Sequence, residues 1–213
     1  GVLTKKNDFF VDESHNKDLI NFLPIKSDNL KLLGVWSFNH RASKFGSEVS
    51  GNTIDAINFY RDWFGNNNEK CIVAGDFNNS IIWDKKGNDN NFNNINDHFV
   101  DLGFVSNYHK LKDEGFGKES SATFFHTKNE LKKYHIDYIY SKNLNPLELK
   151  VGSYSEWIAY SDHSPLVVEY NILWFLPFKN TITLSLYDMY SSLLVGRGDV
   201  LKSSKGCQNL IPE

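Results

Sequence analysis

The sequence is sparing in cysteine, methionine and proline, with two, one and five in 213 residues. Cys71 and Cys207 stand far apart and share no metal-ligand spacing. A disulfide framework is excluded, and the pair reads as a buried strand thiol and an exposed tail thiol. A dominant charge of one sign is also missing, since the formal net charge is -3. That speaks against a broadly basic nucleic-acid binder, although a nuclease needs only a local basic rim around an acidic metal site. No run is long and apolar enough to cross a bilayer, and the longest, Ile172 to Phe178, is interrupted by Pro177. No signal peptide is visible, so a cytoplasmic location is expected. The chain begins at Gly1 rather than Met, which leaves an upstream segment open.

What is present suits a globular domain with a substantial core: 40% hydrophobic, 23% charged and 15% aromatic residues. There is no internal repeat. Phe9 to Val11 and Leu19 to Ile25 read as short strands, with Pro24 confining the second to an edge or an end. Leu30 to Phe38 is a largely apolar run of the kind that forms a strand buried on both faces. Ile54, Ile57, Tyr60, Trp63 and Phe64 recur at helical spacing between Gly51 and the Gly65-Asn66-Asn67-Asn68 stop. Lys70 to Phe77 is a second buried strand, and strand, helix, strand in this order predict a layered α/β unit. Further strands are predicted at Ala122–His126, His135–Tyr140, Leu147–Gly152 and Leu166–Asn171, and a helix at Phe92–Leu102. The Asn-rich stretch Asn88–Asn96 reads as a solvated loop with no assigned role. From residue 173 onward the texture changes, and the Arg197-Gly198-Asp199 triplet there is a chance match to an adhesion motif.

Three short motifs carry chemistry. In Ala74-Gly75-Asp76-Phe77-Asn78 a buried run ends in a carboxylate and an amide two positions apart. Alternation along a strand lets both point one way, the acid to orient water or hold a cation, the amide to bond a phosphate oxygen. Taken alone, Gly, Asp and Asn could equally make a strand-end turn. In Ser161-Asp162-His163-Ser164-Pro165, Asp162 is a hard oxygen ligand suited to Mg²⁺ and His163 can stabilise or protonate a phosphoryl oxygen. The alternative is a turn punctuated by Pro165. In Tyr134-His135-Ile136-Asp137-Tyr138-Ile139-Tyr140 a carboxylate sits among aromatics and, if buried, needs a partner such as a histidine. The alternative there is an edge strand with Asp137 in water.

The order of these motifs, each beside a strand, resembles the endonuclease/exonuclease/phosphatase (DNase I-like) superfamily in a bacterial-type form. The likeness extends to the strand Leu30–Phe38, the Trp83-Asp84 pair, Ser106-Asn107-Tyr108-His109 and Thr123-Phe124-Phe125-His126. It covers about Gly1 to Tyr170. It implies an α/β sandwich of four layers, α/β/β/α, and Mg²⁺- or Mn²⁺-dependent hydrolysis of a phosphate ester. Position by position, Asp76 would orient the attacking water, Asn78 would bind the scissile phosphate, and Asp162 would help hold the metal. His163 would contact the phosphate in the transition state and Asp137 would orient it. Asn39, with Trp36 and with His40 as a competing candidate, would line the phosphate end of the preceding strand.

Two further motifs expected of a complete family member are not in this chain: a Trp-Asn-x-Asn strand end and a strand ending in the glutamate that is the principal metal ligand. Glu13, in a polar turn, is no substitute. The chain therefore reads as the C-terminal part of the domain over residues 1–172, followed by a tail over 173–213 of unknown role. Three expectations follow: an apolar inner sheet face left bare, a partner supplying the rest of the domain, and little activity by this chain alone. Nucleic acid is the preferred substrate. An inositol-type small phosphate is the alternative, with Lys128, Lys132 and Lys133 as its basic pocket unless they are a solvated loop. A phospholipid-cleaving relative, with Trp174 and Phe175 in an apolar loop, and a non-catalytic remnant or binding module complete the alternatives.

Overall fold

A computed structural model of the chain describes residues 2–4, 9–37, 52–65, 68–171, 181–187 and 192–197. The expectations for Asn39, His40, Trp174, Phe175, Gly198, Asp199 and Cys207 lie outside the described residues. In chain order the strands are β1 (Val2–Thr4), β2 (Phe10–Val11), β3 (Phe22–Ser27), β4 (Leu30–Trp36), β5 (Cys71–Asp76), β6 (Val105–Ser106), β7 (Phe124–Phe125), β8 (Lys133–Tyr134), β9 (Asp137–Lys142), β10 (Asn145–Val151), β11 (Leu166–Asn171), β12 (Thr181–Tyr187) and β13 (Ser192–Arg197). The helices are α1 (Thr53–Phe59), α2 (Phe92–Asp101), α3 (Asn107–Lys112) and α4 (Tyr154–Trp157).

These strands form a six-stranded sheet in the order β2-β3-β4-β5-β9-β6, a five-stranded sheet in the order β1-β13-β12-β11-β10, and the small β7-β8 ribbon. β5 is central to the larger sheet, parallel to β4 and antiparallel to β9. All six of its residues are buried, as its unbroken apolar run requires. Alternation divides them between two cores. Cys71 and Val73 join Ile57, Tyr60, Phe99 and Tyr140 in a core that also takes in residues of α1 and α2. Ile72 and Ala74 face the second sheet, packing in one core with Leu32, Ile139, Leu166, Val168 and Leu184.

That second core corrects one expectation. The inner face of the larger sheet is not bare, because β10, β11 and β12 cover it with buried Leu149, Leu166, Val168, Tyr170 and Leu184. The stretch after residue 172, read from sequence as a tail, contributes β12 and β13, which continue the ladder from β11. No motif marked them, since strand pairing is a tertiary property. Pro24 also behaves differently from expectation. It lies in β3, which has neighbours on both sides, but β2 pairs only with Ile25 and Lys26. The proline thus sits where the edge ladder stops.

The first helix is shorter than its periodicity suggested. Asn52 caps it by accepting from the backbone N–H groups of Ile54 (3.0 Å) and Asp55 (3.3 Å). After Phe59 the chain continues in turns to Gly65, and Tyr60 and Phe64 still bury their rings completely. Side-chain burial was legible there, but the hydrogen-bond pattern was not.

Gly75 fixes the approach of β4 to β5. Its φ is +154°, and a Cβ there would lie 1.9 Å from the Val35 carbonyl oxygen. Backbone cannot yield as a side-chain tip can. Gly75→Ala is therefore expected to cost more than about 3 kcal/mol in unfolding free energy, or to prevent folding. Urea denaturation measures this, and an unchanged midpoint would refute the close approach.

Candidate active site

The register of β5 on β9 sets the site. Asp76 pairs directly with Asp137, and on the other side with Trp36 at the end of β4. Two carboxylates facing each other across a ladder are unfavourable. The site's ligand atoms lie within 4.8 Å of one another, so two full charges there would repel by at least about 3.5 kcal/mol at an effective dielectric constant of about 20. Both residues are buried, Asp76 at 8% and Asp137 at 4% exposure. Such an arrangement persists only if each acid has its own donors.

Asp76 obtains them from Asn78. The Asn78 backbone N–H donates to Oδ1 (2.7 Å) and its side-chain amide donates to Oδ2 (2.8 Å). This differs from the simple alternation expected from sequence. β5 ends at Asp76, and Asn78 adopts a left-handed conformation with φ 46° that folds it back over the acid. Asn tolerates this region better than most residues. The same amide nitrogen also donates to the Ser37 carbonyl (3.0 Å), and Ser37 N–H donates to the Asp76 carbonyl (2.9 Å). The β4 end is thereby tied to the turn, with the Ser37 hydroxyl donating to the Phe77 carbonyl.

Asp137 obtains its donor from His163, whose Nδ1 lies 2.9 Å from Asp137 Oδ2. An ionised carboxylate accepts, so Nδ1 carries the proton and Nε2 is directed elsewhere. The Asp137 backbone N–H donates to Thr123 Oγ1 (3.1 Å), as does that of Ile136 (3.1 Å). The loop carrying His163 is fastened to the same segment. Ser164 N–H donates to the Thr123 carbonyl (2.8 Å), and Phe125 N–H donates to the Asp162 carbonyl (2.7 Å). The Phe124 ring lies 4.6 Å from the His163 ring. Thr123 and Phe124 were missed as individual site residues. The only signal for them was the TFFH segment within the resemblance.

The structure thus brings Asp76, Asn78, Asp137 and His163 together. Among the described residues, Asp76, Asp137 and His163 form the one group of acids and imidazoles with ligand atoms close enough for a metal ion. The carboxylate of Asp162 is not in that group, although its residue precedes His163. Trp36 stands at the strand end in register with Asp76 and is 42% exposed. Lys128, Lys132 and Lys133 are all exposed. No helix among the described residues is long and apolar enough to cross a membrane.

A second buried histidine lies two residues from Asp137. His135 Nδ1 is 2.8 Å from the Ser121 carbonyl oxygen, to which it donates, and its Nε2 has no partner among the described residues. Burial holds this imidazole below its ordinary value of 6.5, against the opposing pull of the Ser121 bond and the charges of Glu119 and Asp137. The neutral ring fits, whereas a protonated Nε2 would be an unpaired buried donor.

No family model matches the sequence, and no curated protein does. Solved structures are similar. The 3'-5' exonuclease NExo from Neisseria meningitidis superposes with a TM-score of 0.53 at 16% identity, over 76% of this chain and 70% of that one. The human Nocturnin catalytic domain, solved with a bound sulfate anion, gives a TM-score of 0.48 at 17% identity, over 79% of this chain and 62% of that one. The fold is DNase I-like, a mixed α/β architecture with a central multistranded sheet.

Because the folded-state value of His135 is depressed, its contribution to stability is present above pH 6.5 and is lost as pH falls through the folded value. Urea midpoints are expected to fall between pH 7 and pH 5 and to fall less in His135→Gln. Equal slopes in the two proteins would contradict this reading.

Proposed function

We propose that the chain is a divalent-metal-dependent phosphodiester hydrolase acting on nucleic acid. The observation that carries this reading is the buried convergence of Asp76, Asp137 and His163 beside the Asn78 turn. The fold shared with a 3'-5' exonuclease agrees with it.

The donor set fits a hard divalent cation. Two carboxylates facing each other in a buried site are stabilised by positive charge between or beside them, and carboxylate oxygens suit Mg²⁺ or Mn²⁺. Asp76 would hold the ion beside Asp137, and when bound it would polarise a phosphoryl oxygen, whereas the Asp162 carboxylate expected as its ligand lies outside the cluster. Asp137 is better assigned to His163, because Oδ2 is already committed to Nδ1. It fixes the tautomer and ring orientation, so that Nε2 is the atom that meets the phosphate. Asn78 has a second task. Folded over Asp76, its amide would move to a phosphoryl oxygen when the acid turns to a metal or a water. Trp36, at the end of β4, would line the phosphate entrance, with Asn39 as the companion that the sequence resemblance implies.

Among the described residues no glutamate joins the cluster. A site with so few anionic ligands binds its cation weakly, and slow turnover is expected. The same shortfall is what a non-catalytic binding role would show, so activity decides between the two readings. With the protein in excess over a labelled single-stranded oligonucleotide, slow cleavage dependent on Mn²⁺ or Mg²⁺ is expected. Chelation should abolish it, and Asp76→Asn and His163→Ala should each reduce it at least a hundredfold. Cleavage that survives chelation or both substitutions would refute the assignment. No cleavage of any phosphodiester would leave a binding module.

A further inference from the structure

Directly after Asn78 the chain makes a short turn through Ile81, Ile82 and Trp83. Ile82 is 52% exposed and Trp83 41% exposed. A large apolar pair on an outward turn needs a reason when it borders a cavity. Here it does: Asn78, Ile82 and Trp83 line one cleft of about 720 Å³ together with Phe124 and Tyr134. The rings form a continuous path from the site. His163 meets Phe124 at 4.6 Å, Phe124 lies 6.4 Å from Tyr134 with the rings inclined by 28°, and Tyr134 meets Trp83 at 5.1 Å.

The Trp83 turn is held firmly. Asp84 accepts from the backbone N–H groups of Phe92 (2.6 Å) and Asn93 (2.9 Å) at the start of α2. The Asn91 side chain bridges both backbone groups of Lys85, at 2.9 and 2.7 Å. The Asn79 amide donates to the Asn90 carbonyl (3.1 Å). The Asn-rich stretch, which sequence alone left without a role, is thus the rim of the cleft. Asn88 and Asn90 also line it; the Asn88 side-chain oxygen accepts from the Asn90 backbone N–H (3.1 Å), leaving its NH₂ as donor, and the Asn90 side chain makes no hydrogen bond among the described residues. Neutral amides offer paired donors and acceptors of the kind that match base edges.

We propose that Trp83 is a stacking platform for an unpaired nucleobase of the strand whose phosphate lies at Asn78 and His163, with the Asn88 and Asn90 amides meeting the base edge. The inference rests on the phosphodiesterase reading and narrows its substrate to single-stranded nucleic acid. Base–aromatic stacking is sequence-tolerant and needs an exposed ring on a rigid support. The cleft is poorly suited to a compact polyanion. Its basic lining is Lys85 and His126, while Lys128, Lys132 and Lys133 lie outside it.

Binding in the presence of a chelator tests this without turnover. A labelled single-stranded oligonucleotide is compared, by fluorescence anisotropy, with a strand of the same length built of abasic units and with a blunt duplex. Wild-type protein is expected to prefer the base-bearing strand by between about fivefold and a hundredfold. Trp83→Ala should remove that preference while leaving abasic binding unchanged and the protein folded by circular dichroism, and Trp83→Phe should keep most of it. Equal loss on both strands in Trp83→Ala, an unchanged preference, or duplex binding as tight as single-strand binding would overturn the proposal. So would the absence of binding to any of the three. The two readings fail separately. A chain that cleaves with metal but binds base-bearing and abasic strands alike loses only the stacking subsite. A chain that cleaves nothing but shows the Trp83-dependent preference loses only the hydrolase reading.

Discussion

Two carboxylates held opposite each other across a strand pair organise the centre of this molecule. Asp76 and Asp137 meet because β5 and β9 pair in a register that the buried alternation of both strands enforces. A slip of one residue would carry Val73 and Ile72 each to the wrong core. The fold therefore imposes the repulsion, and local chemistry relieves it. Asn78 leaves the strand for a left-handed turn to serve Asp76, and His163 is brought from another loop to serve Asp137. Thr123 binds the β9 start and the His163 loop to one point. Local strain and like charges are concentrated at one end of an otherwise conventional sheet, and the proposed function rests on that concentration.

The cleft continues the same logic outward. The turn that positions Asn78 also carries Trp83, so the proposed phosphate-binding and ring-bearing elements are one segment. The Asn-rich rim is joined to it by side-chain-to-backbone bonds rather than by apolar packing. An amide-lined edge is therefore compatible with a polar, wetted opening beside a dry core.

Much of this was legible in sequence because it rests on local chemistry. The buried runs named β4 and β5, whereas the close backbone approach at Gly75 was visible only in the structure. The need of a buried Asp137 for a histidine was a statement about desolvation. What was not legible depends on distant pairing. β12 and β13 carry no motif, and only the ladder β11-β12-β13 shows that they extend the second sheet, with Leu184 of β12 in the shared core. The expected bare face failed because the predicted strands β10 and β11, joined by Leu184 of β12, turn their apolar side chains onto it, a packing that no single motif states. The convergence of Asp137 rather than Asp162 with Asp76 follows from cross-strand register, which no single motif contains. The role of the Asn stretch was hidden because composition describes a loop's solubility and not what it borders.

The most direct test of the central pair is a double-mutant cycle of Asp76→Asn and Asp137→Asn, read by urea unfolding with and without Mn²⁺. Mutual repulsion in the metal-free protein predicts that the two substitutions are coupled by more than about 1 kcal/mol, in the sense that removing the second charge gains less once the first is gone. Mn²⁺ should shrink or reverse that coupling, because the cation replaces repulsion with shared attraction. Additive effects, within about 0.5 kcal/mol and indifferent to Mn²⁺, would contradict the account.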